Sequence, residues 1–127
     1  MIIHAPISLG ELIDKITILQ IKQERIQDTV KLKNITNELF QLIEIHSRIL
    51  TDKHLADTSP LFHQLYHVNN QLWDIEDSKR KHESEQNFDE EFVQLARQVY
   101  LKNDLRASIK KQINELVGSM IVEEKSY

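Results

Sequence analysis

Cysteine is absent from the 127 residues of this chain. Disulfides, thiolate metal centres and cysteine nucleophiles are therefore excluded. Glycine occurs only at Gly10 and Gly118, and proline only at Pro6 and Pro60. Strand-rich domains need many turn residues, so this scarcity predicts long helices. It also excludes the glycine-rich phosphate loops of P-loop and dinucleotide-binding folds, and no G-x-S-x-G elbow is present. No apolar run approaches the ~20 residues that span a bilayer, so no membrane partner is expected. The start, Met1-Ile2-Ile3-His4-Ala5-Pro6, lacks a basic stretch followed by an apolar one. No secretory signal is expected on that ground, and the cytoplasm is the expected location. An excess of positive charge is lacking as well. Sixteen Lys and Arg stand against 20 Asp and Glu, for a net charge of −4. That balance argues against a nucleic-acid partner.

What is present is apolar spacing. The length suits one domain, 1–127, with 1–7 as an extended lead-in stopped by Pro6 and 119–127 as a polar tail. Ser8 and Glu11 form a capping box before a helix over 8–27. Leu12, Ile13, Ile16 and Leu19 mark its main stripe, and Ile18 and Ile21 add a second. A helix apolar on more than one face belongs at a bundle centre or a subunit contact. Asp28 and Thr29 cap a second helix over 29–52, with Leu32, Ile35, Leu39, Leu42, His46 and Ile49 as its seam. Residues 51–59 read as a loop. Thr58-Ser59-Pro60 reads as the start of a third helix, 60–83, proline suiting the first helical position. Its seam is Leu61, Leu65, Val68, Leu72 and Ile75. The charged stretch 78–87 is a helix end or a turn, and Phe88 opens a fourth pattern that Gly118 can terminate. The expected fold is all-α, an antiparallel bundle of about four helices.

A helix from 88 to 117 would run about 45 Å at ~1.5 Å per residue. A compact domain of this length is only roughly 36 Å across. The last helix is therefore expected to break near Asn103-Asp104 or to protrude. A protruding apolar helix needs a partner, which makes a homodimer or another protein partner the expectation.

The fourth pattern also carries the most unusual polar residues. Its seam steps from Val99 to Lys102 and Arg106 before resuming at Ile109. Tyr100, Asn103, Ala107, Lys110 and Asn114 lie alongside, flanked by Arg97 and Asp104. Unpaired charge is costly to bury. The patch is thus solvated on a helix that bends or breaks, paired with acids such as Asp14, Asp74 or Asp77, or turned to a small anionic ligand. Arg97, Tyr100, Asn103, Asp104, Arg106 and Lys110 are the ligand candidates, since the arginine fork suits carboxylate or phosphate. Asp14, Lys15, Asp74 and Asp77 are secondary candidates. Glu11 and Lys15 have the spacing of a stabilising helical pair. His63 and His67 have the i, i+4 spacing of a metal pair but point away from the seam, and no Glu follows His63. No metal and no cofactor is expected. His46, alone in a seam, reads as a structural residue.

Several phrases resemble those of a family of small bacterial proteins of unknown function. They are Ala5-Pro6-Ile7-Ser8-Leu9-Gly10-Glu11-Leu12-Ile13-Asp14-Lys15-Ile16, Leu72-Trp73-Asp74-Ile75-Glu76-Asp77, Leu95-Ala96-Arg97 with Val99-Tyr100, Asn103-Asp104 and Arg106-Ala107, and the ending Glu123-Glu124-Lys125-Ser126-Tyr127. The resemblance implies a stand-alone domain and brings no activity with it. It raises the interest of the fourth-helix residues and suggests a tail that docks over the first helix. Glu11 to Ile16 followed by Arg25 is similar, more weakly, to the first helix of all-helical chorismate mutases, where basic residues grip a dicarboxylate; Thr17 stands where a second acid is usual. With catalytic signatures missing and wide apolar faces present, the expected function is a non-enzymatic helical interaction or assembly module. A small anionic-ligand-binding protein or enzyme is the alternative.

Overall fold

The computed structural model describes residues 1–126, and its regular structure is four helices: α1 (Leu9–Arg25), α2 (Thr29–Ile49), α3 (Asp52–Ser84) and α4 (Glu90–Val117). Each begins on a side-chain cap that satisfies an otherwise orphaned amide. Ser8 accepts from the Glu11 amide, Asp28 from Lys31, Thr51 from His54 and Asp89 from Phe92. At the far end of α4, Gly118 takes the left-handed conformation (φ 67°), and the Ser119 amide donates back to the Asn114 carbonyl. Glycine takes that backbone with no Cβ penalty.

The bundle is organised around α1. It is the one helix whose backbone approaches all three others among the described residues. Leu12, Ile13, Ile16 and Leu19 are buried on it together with Ile21, as its two apolar stripes require. Leu39 of α2, Leu61, Leu65, Val68 and Leu72 of α3, and Ile109 and Ile113 of α4 complete the core. α3 and α4 lie antiparallel as a hairpin turned at residues 85–89, and α1 crosses that hairpin. No helix is long and apolar enough to cross a membrane.

Two sequence expectations about helix ends are corrected, and the choice left open for the last helix is decided. The loop expected over 51–59 is helical, and α3 starts at Asp52 with Pro60 inside it. Thr51 provides a cap before Thr58-Ser59 can. Pro60 removes one interior amide at an exposed position, while Thr58 bonds the His54 carbonyl through its hydroxyl. Conversely, α2 ends at Ile49 and Phe88 precedes α4. The last helix does not break at Asn103-Asp104: α4 runs unbroken through both. Pairing along α3 lets it protrude instead. α3, of 33 residues, outruns α1, of 17. The last residue of α1, Arg25, reaches only Asp74 and Asn70. Beyond that point α3 and α4 continue as a two-helix arm. From Trp73 through Ser108, His82 is the only buried residue.

Candidate functional site

Where α1 crosses the hairpin, the apolar core is interrupted by a polar network. Asp14 sits on the face of α1 that meets α3 and α4 and is 1% exposed. A carboxylate there is tolerable only if its oxygens are satisfied. Both are. Arg106 donates through Nε to Oδ1 at 2.8 Å and through Nη2 to Oδ2, a two-pronged grip from α4. Asn69 on α3 adds its amide at 2.9 Å to Oδ1 and at 2.9 Å to the Thr17 hydroxyl. Thr17 in turn donates to the Asp14 carbonyl at 2.8 Å. Nη1 of Arg106 donates to Asn103 at 3.3 Å. The hydrogen bonds to Asp14 hold the Arg106 guanidinium above its ordinary pKa, against the downward pull of burial. One connected set of side chains thus ties three helices at a single crossing, which sets their register.

One turn along, a second polar tie joins α1, α4 and the tail. Lys110, 7% exposed, places Nζ 2.7 Å from Glu11 and 3.1 Å from Glu123. Burial pulls this ammonium's pKa down, but the bonds to Glu11 and Glu123 outweigh it and hold the group charged. Next to it the Gly10 amide donates to Asn114 Oδ1 at 2.8 Å. A Cβ on Gly10 would lie 2.6 Å from the Lys110 carbonyl oxygen. Glycine is required there for close approach of α1 to α4.

The sequence candidates separate accordingly. Arg106, Asn103, Lys110 and Asp14 come together at the crossing. The reading of this stretch as a solvated bend or helix break is overturned, because Arg106 finds the buried Asp14. Arg97, Tyr100 and Asp104 are exposed on the arm and do not join them. The pair expected between Glu11 and Lys15 does not form: Glu11 turns to Lys110, and Lys15 is exposed. Asp74 binds Arg25 at 2.6 Å, and Asn70 takes a second Arg25 donor at 2.7 Å. Asp77 lies on the exposed part of the arm. His63 and His67 are exposed; His67 contacts Gln71 and His63 packs edge-on to Phe62. The tail returns along α4 through Glu123, and its last residue, Tyr127, lies outside the described residues.

Sequence reasoning missed Asn69, Thr17 and the structural use of Gly10. Asn69 was detectable, because it stands four residues after Leu65 and three before Leu72, at seam spacing. His82 was missed as well. Its Nδ1 lies 3.0 Å from the Asn87 carbonyl and 3.6 Å from Asp89, and its Nε2 lies 3.9 Å from Glu91. These three side chains have the residue types of a metal site. Here the ring closes the α3–α4 turn, packed on Phe92.

Beside the crossing lies a cleft of about 330 Å³, lined by Ile18, Ile21, Asn69, Leu72, Trp73 and Arg106, with Glu76, Asp77 and Arg80 at its edge. A second space, of about 400 Å³, runs between the tail and α4, lined by Ala107, Lys111, Asn114, Val122 and Glu123. The first has the apolar walls and few polar groups of a small-molecule site. The second is bounded on one side by an exposed tail.

No curated protein and no solved structure matches this chain. The sequence-level resemblance is matched by a family model over residues 3–127. The chain belongs to the family of unknown function DUF6165.

Proposed function

We propose that this chain is a non-enzymatic helical assembly module of the bacterial cytoplasm, and that its α3–α4 arm is completed by a second copy of itself. The observation that carries this reading is the absence of a core in the arm. From Trp73 through Ser108 only His82 is buried. Phe88, Val93, Tyr100, Leu101 and Leu105 are each about half exposed there. Helices owe most of their stability to tertiary packing of an apolar face, and a two-helix arm has little such packing to offer. Two arms laid side by side would make a four-helix bundle that covers these side chains. A two-fold contact of this kind is self-complementary. Charge bears on it too: past Lys79, Arg80 and Lys81 the turn at the arm tip carries Glu83, Glu85, Asp89, Glu90 and Glu91, and the middle of α4 carries Arg97 and Lys102 beside Asp104. In an antiparallel pair of arms each acidic tip meets the other's basic middle. The pairing of Lys110 with two acids and of Arg106 with Asp14 supports the non-enzymatic part.

Sedimentation equilibrium across low micromolar concentrations tests this. The expected result is a dimer that dissociates on dilution. The double variant Tyr100→Glu/Leu101→Glu, at exposed positions, should be monomeric with an unchanged helical circular dichroism spectrum. A wild-type chain that sediments as a monomer at every concentration overturns the proposal.

A further inference from the structure

Arg106 has not used all its donors. A guanidinium carries five N–H groups. Asp14 takes Nε–H and one proton of Nη2, and Asn103 takes one proton of Nη1. One N–H remains on each terminal nitrogen. Asp14, held by Asn69, fixes the plane of this group, so the donors that remain are oriented in advance. Arg106 lines the cleft beside the crossing.

Two further donors line the same cleft without a partner. Arg80 makes no ion pair or hydrogen bond among the described residues, and neither does the indole N–H of Trp73. Ile18, Ile21 and Leu72 supply apolar wall. Glu76 and Asp77 stand at the edge, Glu76 turned 3.7 Å toward Lys79. Those two acids oppose negative charge in proportion to its amount, which favours a single carboxylate over a multiply charged anion. The volume, about 330 Å³, lies near the lower end of the roughly 300–1,000 Å³ typical of small-molecule sites.

We infer that this cleft binds a small monocarboxylate with an apolar body, its carboxylate between Arg106 and Arg80 and its body against Ile18, Leu72 and Trp73. The inference goes beyond the assembly reading and does not require it, since every residue it uses comes from one chain.

Trp73 is the only tryptophan in the protein and lines the cleft, so its fluorescence, read at one fixed protein concentration, follows occupancy there. The full chain is titrated with 3-phenylpropionate, with the uncharged 3-phenylpropan-1-ol and with inorganic phosphate at matched ionic strength. A saturable change is expected with 3-phenylpropionate, with binding at least about tenfold tighter than that of the alcohol. Arg80→Gln, at an exposed and unpaired position, should weaken the carboxylate at least about tenfold and leave the melting temperature unchanged. Equal binding of acid and alcohol, no loss in Arg80→Gln, no saturation with the acid, or tighter binding of phosphate than of the acid would each overturn the inference.

Discussion

The base of the molecule and its arm are built from the same two long helices, yet they solve opposite problems. In the base, α1 fills the groove of the α3–α4 hairpin and buries charged and polar groups along with the apolar ones. Asp14, Thr17, Asn69 and Asn114 are all buried there, and each has a partner. In the arm, α1 has ended, and apolar and charged side chains alike stay at least partly wet. Apolar contacts alone leave helices free to slide by a turn. A buried polar network permits one register only. The base therefore holds the geometry, and the arm holds the surface left for others.

Removing the centre of that network is the severest way to break this contrast. Asp14→Ala leaves Arg106 and Asn69 facing an apolar gap, and loss of one member of a buried pair costs roughly 3–5 kcal/mol. Asp77→Ala, on the exposed arm, should change stability by less than about 0.5 kcal/mol. Urea unfolding followed at 222 nm measures both. Similar small effects at the two positions would mean that the base does not depend on its polar tie.

Gly10 sharpens the comparison at intermediate size. Alanine is the better helix former by about 1 kcal/mol, so on an exposed helix Gly→Ala would stabilise. In α1 the new methyl would meet the Lys110 carbonyl oxygen at 2.6 Å and Asn114 Oδ1 at 2.9 Å. Backbone oxygen cannot rotate aside, so α1 and α4 must part, at a cost of about 1–3 kcal/mol. Gly10→Ala should therefore lower the melting temperature. A rise would show that the two helices are not held at this spacing.

How far the sequence disclosed this follows the same division. Each helix left a periodic trace, and the double stripe of α1 marked it as central, because burial on several sides demands apolar residues on several sides. The ends were less legible. Pro60 suggests a start, but Thr51 caps a helix that tolerates the proline on its exposed side. The length of the last helix allowed a break at Asn103-Asp104 or a protrusion, and spacing within that helix could not choose between them; the unbroken α4 takes the second. Arg106 and Lys110 stood out because they interrupt a seam. Their partners did not, because Asp14 and Glu11 are distant in sequence and Lys15 offered Glu11 a nearer cation. Spacing within one helix says which face a residue occupies. It does not say which other helix meets that face.

The smallest expected effect concerns α2, where one buried polar atom lacks what every polar group at the crossing has. Nε2 of His46 is buried with no hydrogen-bond partner among the described residues, and the ring lies edge-on to Phe62 at 5.7 Å. Burial lowers the pKa of this imidazole below its ordinary value. The folded chain then holds the ring neutral, while the unfolded chain protonates it below about pH 6.5. Below that pH the unfolded state binds more protons, so stability is complete above it and declines as the solution is acidified. His46→Leu removes both the unpaired nitrogen and this titration. The variant should melt at a temperature equal to or slightly above that of the wild type at pH 7.5. Its advantage should widen by a few degrees at pH 5, where the wild type pays for keeping the ring neutral. A difference between the two proteins that is constant across this range would show that His46 titrates alike in the folded and unfolded chains, and that the seam of α2 is as open to water as the arm.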